Sequence, residues 1–480
     1  MIDELLDTNI VSWKLSLFRS RQKIHSSSRA RCLGVTMAST AGVAAAVRPH
    51  ILPQVHCRAR RRSTRIRASG TEVEEPEQGT MVGNTALDRP EVPLMLGVTL
   101  LRYAGSGAAM LRNGGAAVRH HVAVARGKSG TRPLSWSPGM TVGVELLAGF
   151  LEGISIDDEE VAAVRFRQNK STGTDDQKSA DRLLVYLQSL RAMMAVGVPP
   201  LPGTRVQRVT IGADDIPAVW LTPNLYSWNN RRAPKRVLLW FHGGAFVLCN
   251  TATHARLLSS MGVAADARVL SVEYPLAPDQ GTYENMADAV DRAYEWLCSP
   301  DGGNVLPENV VIGGDSAGGH LACGLAQRLS KRSEKSPRPP AGVVLLSPWL
   351  DPGRERDSTK TAWANASETS VDYLRGVEGS MSRVVKLVFG ETEDDSCEKC
   401  LLDASLYAGR SMPPCLVQCG GAEVLASESR TLADLADETG WELTLEAFEG
   451  MPHVFQVFDS VTPQGGDAIE SVGRFIKRLT

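Results

Sequence analysis

The sequence predicts an α/β protein: a mostly parallel central sheet covered by helices on both faces. Two observations carry this. From residue 237 onward, short apolar runs rich in Val, Leu and Ile recur, without the alternation of a half-exposed strand. Between them lie longer segments with helical spacing, and strands alternating with helices are the pattern of parallel sheets. The chain, at 480 residues, is long enough for one large domain plus extensions.

In chain order, helical spacing begins between Met140 and Arg167 and is clear from Ser179. There Leu183, Leu184, Leu187, Leu190 and Met194 share one face, with Asp181, Arg182 and Arg191 elsewhere. The Pro- and Gly-rich stretch 196–203 ends that region. Arg205 to Ile211 and Ile216 to Leu221 alternate around Gly212-Ala-Asp-Asp and predict a hairpin. The strands predicted next are Val237–Phe241, Val269–Glu273, Val310–Gly313, Val343–Ser347, Cys415–Cys419 and Leu443–Phe448. The intervening helices are Tyr283–Leu297, Ser316–Leu329, Ser427–Glu438 and Ile469–Leu479. No internal repeat is visible, and residues 79–131 are Gly- and Ala-rich with weak periodicity.

Charge separates the N-terminal stretch from the rest. The whole chain has a formal charge of −2, which gives no reason to expect nucleic-acid binding. No apolar run reaches the roughly 18 residues of a membrane span; Leu94 to Met110 is interrupted by Arg102 and glycines. From Thr8 to Thr71, however, there is no Asp or Glu, while Arg58, Arg60, Arg61, Arg62, Arg65 and Arg67 cluster at the end. Acid-poor, Arg- and Ser-rich N-termini mark organelle import peptides. The stretch from Met37, MASTAGVAAAVRP, is similar to the start of a plastid transit peptide, and Ile66-Arg67-Ala68-Ser69 is similar to a processing site. The expected organisation is an import peptide and linker over 1–80, an N-terminal extension and helical cap over 81–200, and a catalytic domain over 201–480. The expected location is the plastid. Mitochondrion or cytoplasm, and a start at Met37, are the alternatives.

The nine cysteines show no secreted disulfide framework. Cys249, Cys298 and Cys323 lie in or beside apolar runs and are expected as core thiols. Cys397-Glu-Lys-Cys400 lacks the second pair or the two histidines that a zinc site needs.

The chemistry is concentrated in Gly314-Asp-Ser316-Ala-Gly318. This G-x-S-x-G stands between a predicted strand and a predicted helix, where small neighbours permit a strained turn that lifts the serine oxygen above the sheet. The following helix aims its positive N-terminal end at the serine. Upstream, Trp240-Phe-His-Gly243-Gly244-Ala-Phe246 also follows a strand. Its glycines let backbone N–H groups approach a developing oxyanion without a Cβ in the way. A nucleophilic serine needs a base, and the base needs an orienting acid. Of the nine histidines, three lie in the import segment, two in the unassigned region and three in or beside the motifs. His453 remains, in the loop between the last strand and the last helix, where the order Ser…acid…His puts the base. After Cys415–Cys419 there is no Asp. Glu423 stands at the strand end, and Glu428 stands about a turn into the next helix.

Six segments together resemble a known family, the hormone-sensitive-lipase branch of the α/β-hydrolases, with its arylacetamide-deacetylase-like and steryl-acetyl-hydrolase-like esterases. They are His242-Gly-Gly-Ala-Phe246, Tyr274-Pro-Leu-Ala-Pro278, Gly314-Asp-Ser-Ala-Gly-Gly319, Ser347-Pro-Trp-Leu-Asp351, Met412-Pro-Pro414 and the His453 loop. The resemblance covers roughly Trp136 to the C-terminus. It implies an α/β-hydrolase fold and a serine esterase or lipase acting through an acyl-enzyme. Ser316 would be the nucleophile, His453 the base and Glu423 the acid, with the N–H groups of Gly243, Gly244 and Ala317 as oxyanion hole. The expected partner is a small-molecule or lipid ester, and no metal or organic cofactor is implied. The sequence departs from the family pattern twice, with Ala245 in place of a third glycine and with Glu423 in place of the usual Asp. The alternatives are a non-catalytic small-molecule receptor on the same fold, or an amidase or acyltransferase using the same three residues.

Overall fold

A computed structural model describes residues 136–480, apart from 169–173, 213–215, 224–234, 332–337, 354–355, 370 and 391–399. The import segment, the unassigned stretch up to residue 135 and Cys397 lie outside the described residues.

The described residues open with three helices, α1 (Pro138–Glu152), α2 (Asp158–Gln168) and α3 (Thr174–Met194). Ser137 caps α1 by accepting from the Met140 N–H at 3.1 Å, with Pro138 in the first turn, where its missing donor costs nothing. The apolar face predicted for α3 is real: Leu183, Leu187 and Leu190 are fully buried. The expected hairpin of β1 (Arg205–Ile211) and β2 (Ile216–Thr222) follows, with Ile211 opposite Ile216.

Six strands and seven α-helices follow among the described residues: β3 (Val237–Phe241), α4 (Thr251–Ala265), β4 (Arg268–Val272), α5 (Tyr283–Cys298), β5 (Val310–Asp315), α6 (Ala317–Lys331), β6 (Gly342–Leu346), α7 (Asp357–Thr369), α8 (Glu378–Phe389), β7 (Cys415–Gly420), α9 (Ala426–Thr439), β8 (Leu443–Phe448) and α10 (Pro463–Leu479). The sheet order is β1-β2-β4-β3-β5-β6-β7-β8. β1 and β2, and β2 and β4, pair antiparallel, and every other pair is parallel.

The unbroken apolar runs have a simple cause. In β3, Leu238 and Trp240 face α4 and α10 and pack with Leu258, Met261, Val472 and Ile476. Val237, Leu239 and Phe241 point the other way, into the larger core shared with α5 and α6. A strand buried on both faces needs apolar side chains at every position.

Three helices differ from the sequence expectation. α4, α7 and α8 are not among the helices expected from the sequence. α4 is buried around most of its circumference, from Leu257 and Leu258 to Ser259 and Gly262, so no polar stripe marks it. Its start is nonetheless defined by a capping box, in which the Asn250 side chain accepts from Thr253 N and the Thr253 hydroxyl receives Asn250 N. α10 begins at Pro463, six residues earlier than expected, because Gly465 and Gly466 conceal the helical pattern; Gly465 packs against Asp459.

Candidate active site

Because β3, β5, β6, β7 and β8 run parallel, the loops leaving their C-terminal ends gather along one edge of the sheet, where such folds bind ligands. Ser316 is the single residue between β5 and α6, not the first residue of the helix. Its φ of +53° is left-handed, a conformation a non-glycine residue adopts only under restraint. Its N–H donates to Leu346 O at 2.9 Å, and its carbonyl accepts from His320 N at 3.1 Å and Trp349 N at 3.0 Å. Gly318 is required by contact: a Cβ there would collide with Phe241 O of the neighbouring strand. Ala317 is the first residue of α6, so its N–H is one of those that no helical carbonyl can take.

Phe241 lies opposite Gly314, so the His242–Gly244 loop leaves the sheet beside the serine turn. Gly244 has φ +115°, and a side chain there would run into Leu248 O. Ala245 sits at φ +53°, in the region where the family pattern has glycine, and the backbone holds its Cβ there. Tyr274 steadies the loop by stacking on His242 at 4.6 Å and donating its hydroxyl to His242 O at 2.7 Å.

The histidines near the motifs have structural partners. His254 Nε2 lies 3.0 Å from Asp315 Oδ2, and Trp240 Nε1 donates to Asp315 Oδ1 at 3.1 Å. Burial works against the Asp315 carboxylate, but His254 beside it holds its pKa below the usual value. His320 is bonded through Nδ1 to Trp349 O and through Nε2 to the Tyr283 hydroxyl.

His453 Nδ1 lies 3.8 Å from Glu423 Oε2, an ion-pair distance rather than a hydrogen bond, and both side chains are buried. Glu423 Oε2 accepts from the Ser347 hydroxyl at 2.6 Å and from Gly420 N at 2.9 Å. Burial pushes the Glu423 carboxyl up, and His453 opposes it. Burial pulls the His453 imidazole down, but Glu423, then Asp372 and Asp315, more than offset this and leave it raised. The longer side chain of Glu in place of Asp is thus accommodated from the end of β7, with its outer oxygen gripped from two sides.

Two residues escaped the sequence reading. Ser347 stands at the end of β6 with φ +46°; beyond its bond to Glu423, its hydroxyl accepts from Val454 N at 3.0 Å. Together with Trp349, which bonds Ser316 O, it joins the serine, acid and base loops. Its signal was the Ser347-Pro-Trp segment, recognisable as part of the family pattern but silent about its task. Asp372 accepts from the backbones of both the acid and the base loop, and no local motif marks it. Glu428, about a turn into the helix after β7, is not a surface carboxylate. It is buried, and its Oε2 accepts from Leu350 N at 2.5 Å and Asp351 N at 2.9 Å.

Among the described residues, no group of three His, Cys, Asp or Glu side chains could hold a metal ion. The Cys249 and Cys323 thiols are pushed up by burial to about 12 and about 11, so they stay protonated. A cavity of about 590 Å³ opens beside this edge, lined by Arg191, Asn250, Glu273, Tyr274 and Gln280 among others; neither Ser316 nor His453 lines it. No helix among the described residues is long and apolar enough to cross a membrane.

Comparison with known proteins agrees with this architecture. A family model described as an α/β-hydrolase fold matches residues 238–457. The carboxylesterase/phospholipase LipF of Mycobacterium tuberculosis is 31% identical over 252 residues, 51% of this chain and 62% of LipF. The matched region therefore spans less than two thirds of that relative. An acetyl-hydrolase of Streptomyces hygroscopicus is 31% identical over 299 residues, covering 62% of this chain and 90% of its own length. The crystal structure of an esterase from the bacterial hormone-sensitive lipase family superposes with a TM-score of 0.50 at 28% identity, over 68% of this chain and 99% of that one. The chain belongs to the α/β-hydrolase family, in its hormone-sensitive-lipase-like branch.

Proposed function

We propose that this protein is a serine carboxylic-ester hydrolase working through a Ser316–His453–Glu423 triad. The observation that supports the reading is that a serine in a strained left-handed turn and a buried His453–Glu423 pair lie on loops leaving the same edge of a parallel sheet. In the proposed reaction His453 takes the Ser316 proton as the hydroxyl attacks the ester carbonyl. The imidazolium so formed is stabilised by Glu423. Negative charge on the carbonyl oxygen is met by the N–H groups of Gly243, Gly244 and Ala317, and by the positive end of α6. His453 returns the proton to the departing alcohol, and water then attacks the acyl-enzyme by the same route. The relatives' names, an acetyl-hydrolase and a carboxylesterase/phospholipase, support small or lipid-derived esters as substrates.

The test is a panel of p-nitrophenyl esters of increasing acyl length, with wild type and Ser316→Ala compared. The substitution lowers kcat about 10⁴-fold or more; unchanged turnover excludes Ser316 as the nucleophile.

The three N-terminal helices are proposed as a cap over this edge. Support comes from Trp136, which donates to Gly450 O in the His453 loop at 2.8 Å, and from Arg191 of α3, which donates to Val247 O at 2.8 Å. Import into plastids is proposed from the sequence of residues 1–80 alone, because a long acid-free basic segment fits import chemistry. Residues 1–70 fused to a fluorescent protein should accumulate in plastids, and a diffuse cytosolic signal would refute it.

A further inference from the structure

Acid and base reside on different loops, so the distance between them depends on how the turn at 420–425 sits against the loop at 449–454. Backbone bonds bring the two together: Gly421 N donates to Phe448 O at 2.7 Å and Ala422 N to Met451 O at 3.1 Å. Besides Ser347, a carboxylate from outside grips both. Asp372, between α7 and α8, is 0% exposed. Its Oδ2 accepts from Val424 N at 2.9 Å, one residue after the acid, and its Oδ1 accepts from the N–H of His453 itself at 3.1 Å.

We propose that Asp372 is a positioning residue for proton transfer, fixing Glu423 against His453 and placing a second negative charge behind the imidazolium. The inference rests on the triad reading and adds a residue to it.

The chemistry of the site calls for a carboxylate. Two backbone donors converge from two loops, and only a side chain with two acceptor oxygens and no donor satisfies both. An amide of the same shape would turn an N–H₂ toward one of them. A buried charge is expensive unless hydrogen-bonded, so a carboxylate here is held by these partners and holds them in turn. The segment that carries Asp372 is itself anchored. Arg375 donates to Asp372 O at 2.8 Å and to Glu145 Oε2 of α1 at 2.7 Å. The next residue, Tyr373, sets its ring edge-on to His453, 5.7 Å between centroids. The charged groups acting on His453 are Glu423, Asp372 and, more weakly, Asp315. Removing one of these negative charges makes the imidazolium easier to deprotonate.

The decisive variant is Asp372→Asn in the full chain. On p-nitrophenyl butyrate, kcat should fall about 10- to 100-fold with KM within about threefold, because the loss is in proton transfer rather than in binding. The acid limb of the kcat/KM profile, expected in wild type above the ordinary histidine value of 6.5 because Glu423 and Asp372 raise His453, should move to lower pH. Asp372→Glu keeps the charge but overreaches, so it should lose kcat while leaving the limb in place. It carries the test if the Asn variant does not fold. An Asn variant with wild-type kcat, or one whose loss follows only the folded fraction with an unmoved limb, overturns the proposal. So does a Glu variant with wild-type kcat or a displaced limb. A titration of His453 by NMR, assigned through His453→Gln, reads the same charge without turnover. A lowered pKa in Asp372→Asn supports the assignment, and an unchanged one refutes it. If wild type cleaves no ester, the functional reading fails, while this titration still decides the role of Asp372.

Discussion

Glu428 gives a prediction whose size follows from its surroundings. The carboxyl lies in the first turn of α9, 1% exposed, with Oε2 holding the backbone of Leu350 and Asp351 and no partner for Oε1 among the described residues. Burial, above all, pushes its pKa from the ordinary 4.5 up to about 8; Asp351 and Glu423 push the same way, and the two N–H groups pull against them. Between those two values the folded protein binds a proton that the unfolded chain releases. This contribution is therefore fully present below pH 4.5 and is lost as pH rises toward 8. A tenfold change in proton affinity is worth about 1.4 kcal/mol, so the loss is on the order of 3–5 kcal/mol. Glu428→Gln keeps an oxygen for Leu350 and Asp351, places an amide donor where the carboxyl proton sat, and never ionises. Denaturant unfolding at about pH 5.5 and pH 8.5, on wild type and variant, reads the difference. Wild type should lose stability between the two, and the variant should lose several kcal/mol less and exceed wild type at the higher pH. Parallel stability curves for the two proteins would show that the buried carboxyl is not protonated, and the reasoning would be wrong.

Glu423→Gln keeps the shape of the acid but removes the charge behind the imidazolium, and kcat on p-nitrophenyl esters should fall about 10³- to 10⁴-fold. Glu423→Asp should retain part of the activity, since the charge survives with a shorter reach. Asp315→Ala leaves His254 buried without its counter-charge and Trp240 Nε1 without its acceptor. A loss of about 3–5 kcal/mol in unfolding free energy is expected, and a variant as stable as wild type would contradict the buried ion pair.

What the sequence determined by itself is what adjacent residues encode. β3, β5, β6 and β7 were legible because burial on both faces leaves no choice but continuous apolar residues. Ser316 was legible because a left-handed turn between strand and helix needs small neighbours within two positions of it, all in one short stretch. Glu423 and His453 followed from their places after β7 and β8, since chain order fixes which loops can reach the serine. The tertiary structure decided what depends on meetings between distant segments. α4 was hidden because burial all round erases the amphipathic period that marks a surface helix. Glu428 reads as an ordinary helix carboxylate until the loop after β6 is seen to pass against it, with Leu350 and Asp351 presenting their N–H groups. Asp372 lies 52 residues from Val424 and 81 from His453, and a carboxylate that serves two backbones so far away leaves no trace in its own neighbourhood. A hydrogen bond between remote segments is selected by the packing that brings them together, and only that packing records it.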